Sequence, residues 1–172
     1  GDVYKRQRSN RDKMEVSEKE FERIVSRNKS VIYTVCYMFA DNAEDADDLF
    51  QEVLLNIWNG LGQFRQSSDM STWIWRISLN TCISSGRKRK RRPTVRLTME
   101  ANLYEDTDDD TRQIRMLRDR IHRLKPFDRA IVLLWLENLS YEEIGDIVGI
   151  TAKNVSVRLY RIRQELKQMS NN

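Results

Sequence analysis

Apolar residues recur every three or four positions along most of the chain, and this spacing constrains the fold more than any other feature. Phe21, Ile24 and Val35 belong to a stripe that ends near Ala40, and comparable stripes follow it. Residues three and four apart share one face of an α-helix, so each stripe predicts a helix with one buried side. The helices predicted in this way cover residues 17–40, 41–60, 70–89, 112–124, 126–136, 140–148 and 151–166. The predicted fold class is therefore all-α.

A break in this pattern divides the helices into two groups. Pro93 ends the third helix, because a proline ring cannot continue a helix. Residues 94–111 are polar and aperiodic, and five acidic residues cluster between Glu105 and Asp110. Such a segment is typical of a flexible linker. We therefore predict two small helical domains, residues 14–93 and 112–168, joined by an acidic linker.

The two ends of the chain lie outside these domains. Residues 1–13 are polar and basic without a helical period, so we predict a disordered N-terminal extension, with Met14 as the natural start. A basic arm that contacts DNA is the alternative. Ser17 to Glu20 form a capping-box pattern, which predicts that the first helix begins there. Residues 169–172 are expected to form a short tail.

Composition excludes several classes of protein. No apolar run approaches the roughly 18 residues needed to span a bilayer, so we expect no membrane insertion and a cytoplasmic protein. Cys36 and Cys82 lie among apolar residues, which favours buried free thiols over a disulfide. His122 is the one histidine and no Cys-x-x-Cys pair occurs, so we predict no metal site and no cofactor.

The charge reverses between Asp45 and Arg92. Acidic residues open the second helix, whereas the third helix continues into six successive cations at residues 87–92. The net charge of the 172-residue chain is only +4, so its basic character is local and suits a polyphosphate partner. The acidic end needs a different partner. This pattern is typical of an adaptor between two macromolecules.

The third helix has an unusual distribution of residues around its circumference. Apolar residues form two stripes on opposite sides, and Arg76, Asn80 and Arg87 form a single narrow row between them. A satisfied surface row and a nucleic-acid contact explain this row equally well. The adjoining cations favour DNA, because they repel one another unless an anion neutralises them. Trp73 and Trp75 fit the apolar stripes, so we predict core packing, and a role as a melting wedge stays open for Trp75.

The second domain carries a helix-turn-helix pattern. Ser140 to Glu143 form a capping box, Gly145 is small where two helices cross, and Gly149 suits a turn with positive φ. The following helix presents five residues on its outer face that suit the major groove: Lys153, Asn154, Val157, Arg158 and Arg161. Asp47 and Asp48 are better explained by helix capping than by a metal pair. No constellation of carboxylates or histidine predicts an enzyme.

The order of these parts resembles a known family. Three blocks resemble region 2 of bacterial RNA polymerase sigma factors: residues 45–52 (DADDLFQE), 64–65 (FR) and 71–80 (STWIWRISLN). Two further blocks resemble region 4: residues 139–145 (LSYEEIG) and 158–163 (RLYRIR). A chain with only these two regions is similar to the extracytoplasmic-function group of the sigma-70 family.

The resemblance implies partners and a role for each surface. It implies binding of core RNA polymerase at the clamp helices of the largest subunit and at the flap. The clamp helices would be contacted by Asp45, Asp48, Gln51, Glu52 and Leu55. It implies contact with the minus-ten promoter element by Gln66, Ser67, Ser68, Asp69, Arg76, Asn80 and Arg87. It implies recognition of the minus-thirty-five element by the five outer residues of the last helix. It also implies a controlling anti-sigma factor.

A stand-alone helix-turn-helix regulator is the rival interpretation. It explains residues 112–168 but leaves the acidic and aromatic helices of the first domain without a task. A regulator binds its duplex without polymerase, whereas a sigma factor directs promoter recognition and melting as part of the polymerase. We therefore predict a sigma factor without enzymatic activity.

Overall fold

The computed structural model describes residues 1–64, 69–91 and 109–170, except for the side chains of residues 14–16, 89–91, 109–111 and 170. Every regular element in these three ranges is an α-helix, which confirms the predicted class. The helices are α1 (Asp2–Phe39), α2 (Ala43–Gly60), α3 (Met70–Arg91), α4 (Asp109–His122), α5 (Pro126–Leu136), α6 (Tyr141–Val148) and α7 (Ala152–Ser170).

Helices α1, α2 and α3 form one bundle in which each helix packs against the other two. Its buried residues are those of the predicted apolar stripes: Ile32, Val35, Cys36, Leu49, Val53, Ile57, Ile74, Leu79 and Cys82. Burial of each large aliphatic side chain contributes roughly 1.5–3 kcal/mol, so this apolar seam holds the bundle together. A polar contact also joins α2 to α3, where the Asn56 Nδ2 donates to Thr81 Oγ1 at 2.9 Å.

Helices α4 to α7 form a second bundle around α7, which packs against the other three. Its core contains Ile121, Leu124, Ile131, Leu134, Ile144, Val155, Leu159 and Ile162. Helix α5 begins at Pro126 as predicted, since a missing N–H costs nothing in the first turn. Cys36 and Cys82, both in the first bundle, are buried and are not joined in a disulfide.

Helix α1 starts far earlier than the sequence pattern indicated. It begins at Asp2, so the prediction of disorder for residues 1–13 is wrong. Ser17 lies in the middle of α1 and does not cap a helix start. Its Oγ donates to the Lys13 carbonyl oxygen at 2.9 Å. Once a helix is nucleated, each residue added to it gains one backbone hydrogen bond, so extension is easier than initiation. Five of residues 1–13 are Lys or Arg, which are good helix formers, so the helix continues without apolar support.

Two other helix starts differ from the prediction. The cap of α2 is Asn42, one position after the predicted start at residue 41, because the Asn42 side chain accepts from the Asp45 N–H at 2.8 Å. Helix α4 begins at Asp109, so the last three residues of the predicted linker are helical. Acidic residues in a first turn are favoured by the positive end of the helix dipole, which explains this extension. Residues 94–108 of the predicted linker lie outside the described ranges.

The two bundles touch one another, which the apolar pattern did not predict. Helix α6 packs against α3, and α4 packs against the end of α1. The faces of α3 and of the α6–α7 pair are therefore neighbours in space.

Candidate nucleic-acid interface

Helices α6 and α7 form the predicted helix-turn-helix. Both halves of the capping box are present, with the Ser140 N–H donating to Glu143 Oε2 at 2.9 Å and the Glu143 N–H donating to Ser140 Oγ at 3.1 Å. Gly149 adopts a φ of 84°, in the left-handed region that favours glycine. A Cβ at Gly145 would clash with the Ile150 carbonyl oxygen, so α6 meets the turn at backbone contact.

The outer face of α7 is accessible. All five residues predicted to face the major groove are exposed: Lys153, Asn154, Val157, Arg158 and Arg161. The opposite face is buried through Val155, Leu159 and Ile162, which sets the rotation of the helix. A helix held in this way presents cations, an amide and an apolar side chain in one direction, as a major-groove reader requires.

Arg158 differs from the other four residues of this face. Its guanidinium Nη1 lies 3.2 Å from Asp128 Oδ1, and its Cζ lies 4.7 Å from the centre of the Phe127 ring. Both partners belong to α5. Arg158 therefore joins α7 to α5, and contact with a base edge would require it to leave both of them.

The predicted row on α3 is exposed. Arg76, Asn80 and Arg87 are exposed, while the adjoining Ile74 and Leu79 are buried. The Arg76 Nη2 donates to the carbonyl oxygen of Asp146 in α6. The row thus lies beside the helix-turn-helix of the second bundle.

The loop before α3 is described only at its edges. Gln66, Ser67 and Ser68 lie outside the described residues. Asp69 is exposed, and its carboxylate accepts from the Ser71 N–H at 3.4 Å at the start of α3. A carboxylate at this position is stabilised by the positive helix end.

The predicted partner-binding residues of α2 divide into two sets. Asp48, Gln51 and Leu55 are exposed and share one face. Asp45 and Glu52 are only half-exposed, and the Asp45 carboxylate accepts from the Asp41 N–H at 2.9 Å. Asp45 therefore stabilises the start of α2. The exposed face of α2 consists of Asp48, Gln51 and Leu55.

Comparison with known proteins identifies the family. Residues 24–92 match the family model for Sigma-70 region 2, and residues 114–166 match that for Sigma-70, region 4. The chain is 30% identical over 142 residues to the RNA polymerase sigma factor YlaC of Bacillus subtilis (strain 168), covering 77% of this chain and 82% of that protein. The chain belongs to the extracytoplasmic-function group of the sigma-70 family.

The chain is also similar to a second relative, and it shares its fold with two solved structures. It is 28% identical over 165 residues to the ECF RNA polymerase sigma factor SigW of Bacillus subtilis (strain 168), with 86% of this chain and 87% of that protein covered. The fold is shared with CnrH, solved in complex with the cytosolic domain of CnrY, at a TM-score of 0.65 and 20% identity over 90% of this chain and 89% of that one. RpoE from Bartonella quintana, solved with the anti-sigma factor NepR, gives the same TM-score and identity over 89% and 98% of the two chains.

Core packing was predicted for two aromatic residues of α3, and the structure places them at different depths. Trp75 is only 5% exposed, so it is a core residue and the melting wedge that stayed open for it is excluded. Trp73 is half-buried instead, with its ring centre 4.8 Å from that of Phe64. Phe64 precedes the loop and Trp73 follows it, so the pair lies where the two ends of the loop meet. The helical period predicted that both residues belong to apolar stripes. It did not predict how deeply each side chain is buried.

Trp58 is a surface residue of α2 that was not among the predicted site residues. It is 38% exposed, and it lies three residues after Leu55, which is 58% exposed. Its ring packs edge-on against Phe21 of α1, with ring centres 5.3 Å apart. The spacing of residues 48, 51, 55 and 58 is the signal that could have found it, because these positions share one helix face.

Two other kinds of site are absent from the part of the sigma factor that the structure describes. No helix there is both long and apolar enough to cross a bilayer. No three side chains of His, Cys, Asp or Glu there converge in a way that could hold a metal ion.

A first prediction concerns the role of Arg158. We expect Arg158→Ala to weaken binding to minus-thirty-five duplexes by roughly 1 kcal/mol, equally for all sequences, because the side chain supports α7 through Asp128 and Phe127. Arg161→Ala should instead change the preferred base at one position. Selection from a pool of randomised duplexes measures both effects. A shifted sequence preference for Arg158→Ala would show that this residue reads a base.

Proposed function

We propose that this sigma factor holds core RNA polymerase with one face of α2 and opened promoter DNA with α3, while α7 reads duplex DNA upstream. One observation carries the proposal. Two helices of the same bundle expose opposite chemistries, an acidic and apolar face on α2 and a row of cations and an amide on α3. A protein that binds only duplex DNA has no use for the first of these faces.

The polymerase contact is assigned to Asp48, Gln51, Leu55 and Trp58. An interface needs a large apolar anchor that is buried on binding, and Trp58 beside Leu55 supplies one. Asp48 adds a charge that orients a cationic partner surface. The clamp helices of the largest polymerase subunit are the partner that the family implies. Asp45 and Glu52 support this face from its edge.

The opened minus-ten element is assigned to α3 and to the loop before it. Arg76, Asn80 and Arg87 are spaced to follow phosphates along a strand. Residues 66–69 are assigned to an extruded base, and the aromatic pair Phe64 and Trp73 offers a surface on which a base can stack. Capture of an extruded base offsets the few kcal/mol that unpairing costs.

No reaction is assigned to the chain. The free energy of binding an unpaired base is sufficient to offset the cost of promoter melting. We therefore propose neither a catalytic residue nor a cofactor. The site of action is the cytoplasm, where polymerase and chromosome are found. The regulatory partner is an anti-sigma factor, and the complex of RpoE with NepR supports this assignment.

Run-off transcription with purified core polymerase tests the proposal. We expect transcripts from a promoter template only when the factor is added, and co-elution of the factor with core polymerase on a sizing column. Core polymerase alone is the control. Tight binding of the factor to duplex DNA without any co-elution with polymerase would support the stand-alone regulator instead.

A further inference from the structure

Two arginines of α7 lie over aromatic rings of α5. The Arg158 Cζ is 4.7 Å from the centre of the Phe127 ring, and the Arg163 Cζ is 5.3 Å from the centre of the Trp135 ring. Phe127 belongs to the first turn of α5 and Trp135 to the last. A guanidinium over the face of a ring is attracted by the π electrons and stacks on the ring. Helix α7 is therefore held at both ends of α5.

The two arginines lie on opposite sides of the buried stripe of α7. Successive residues of an α-helix are about 100° apart around its axis. Arg158 directly precedes Leu159, Arg163 directly follows Ile162, and the two aliphatic side chains are buried. Helix α5 packs against α7. Because each arginine reaches a ring of α5 from its own side of the stripe, the two contacts oppose rotation of α7 in either direction.

Asp128 adds an ion pair to one of these contacts. Its Oδ1 lies 3.2 Å from the Arg158 Nη1, and the two side chains are 21% and 47% exposed. An ion pair as exposed as this one contributes little to stability, but it restricts the orientation of a planar guanidinium. The carboxylate therefore keeps Arg158 on the Phe127 ring.

Rotation of α7 affects the reading of bases far more than binding to phosphates. The outer side chains lie roughly 6 Å from the helix axis, so a turn of about 20° displaces them by roughly 2 Å. Hydrogen bonds to base edges need donor–acceptor distances of about 2.7–3.2 Å, so this displacement breaks them. Phosphates line the whole groove, so a displaced cation still meets one. The apolar stripe alone restricts rotation weakly, because burial of apolar surface is non-directional.

We propose that Arg158 and Arg163 are positioning residues that fix the rotation of α7 on α5 and so determine which base edges its outer face reaches. The proposal rests on the proposed function, in which α7 reads duplex DNA. Either contact, together with the buried stripe, still opposes rotation. Loss of one contact therefore weakens binding without changing the preferred sequence, as expected above for Arg158→Ala. Loss of both contacts reduces the discrimination between sequences.

Removal of both rings tests the proposal while both arginines remain. The wild-type full chain first selects its preferred duplex from a randomised pool, and a scrambled duplex of the same composition serves as the reference. For the variant with Phe127→Leu and Trp135→Leu, we expect the ratio of the two affinities to fall roughly tenfold. Each single substitution should change this ratio by less than about twofold. The salt dependence of binding should stay the same, because no cation is lost.

Leu136→Ala is the matched control. Leu136 is an apolar residue of the same helix and is 42% exposed, so its truncation alters α5 without removing either ring. It should leave the ratio of affinities unchanged. Circular dichroism verifies that the variants stay helical. An unchanged ratio for the variant without the two rings would overturn the proposal, and so would an equal fall for Leu136→Ala.

Arg158→Lys combined with Arg163→Lys keeps the proposal testable if the variant without the rings does not fold. Both side chains are exposed, and lysine retains the charge but lacks the planar group that stacks on a ring. We expect the ratio of affinities to fall roughly threefold, because an ammonium group holds the ring less firmly. No fall in this variant would overturn the proposal.

The positioning role can also be separated from the proposed function. If the wild-type chain selects no sequence from the pool, the proposed reading of duplex DNA by α7 is wrong. Hydrogen exchange of the α7 amides then still tests the two contacts. Faster exchange in the variant without the rings than in Leu136→Ala would support the positioning role, and equal exchange would overturn it.

Discussion

Combined replacement of Asp48 by Arg and Gln51 by Ala should abolish promoter-dependent transcription. Both side chains are exposed on the face of α2 that also carries Leu55 and Trp58. If this face docks on a cationic surface of polymerase, the new arginine places like charges opposite one another, which costs several kcal/mol. A cost of about 3 kcal/mol weakens binding roughly 100-fold. Titration of labelled factor with core polymerase and run-off transcription measure the two effects.

The control for this experiment is Glu22→Arg. Glu22 is an exposed acid on α1, so its replacement makes the same change in charge on a different helix. We expect it to leave polymerase binding within about twofold of wild type, a difference below 0.5 kcal/mol. Full transcription by the Asp48 and Gln51 variant would show that α2 is not the polymerase-binding face.

Gly145→Ala should disrupt the helix-turn-helix more than its single added methyl suggests. The new Cβ meets the backbone oxygen of Ile150, which cannot rotate away as a side chain can. Overpacking of this kind costs roughly 1–3 kcal/mol, and relief requires α6 to move off the turn that positions α7. We expect faster hydrogen exchange of the amides of α6 and α7, and a roughly tenfold or greater loss of binding to minus-thirty-five duplexes.

Gly86→Ala is the matched control for this substitution. A Cβ at Gly86 meets no other atom within 4 Å, and the residue lies inside α3. Alanine has the higher helix propensity by up to about 1 kcal/mol, so this variant should be as stable as wild type or more so. Equal hydrogen-exchange rates for α6 in the two variants would show that a methyl group at residue 145 does not destabilise the helix-turn-helix.

The helix-turn-helix could be predicted in detail because its signals are local. The capping box joins Ser140 to Glu143, and the turn depends on the φ of Gly149, so a short window of sequence contains both causes. The exposed row on α3 could be predicted for the same reason, since its three residues share one helix face. The residues at which helices start were harder to predict. Ser17 has the residue type of a cap, but an upstream segment able to extend the helix decided its conformation.

Residue depth and side-chain partners were harder to predict. Trp73 and Trp75 both fit apolar stripes, yet only Trp75 is fully in the core, because its position faces the packed helices. Arg158 has the right position for a base reader, but Asp128 and Phe127 of α5 engage it. A helical period indicates the direction of a side chain. It does not indicate which group of another helix will meet it.

The amino-acid sequence alone determined which segments are helical, which faces are apolar and which turn joins α6 to α7, because these depend on residues within a few positions of one another. Only the tertiary structure decided that Arg118 holds the end of α1 and that Arg76 meets Asp146. These partners lie 70 to 81 positions apart, and no local period encodes such a distance. Contacts of this kind form only after both bundles have folded, when the carbonyls at a helix end meet a guanidinium of the right reach.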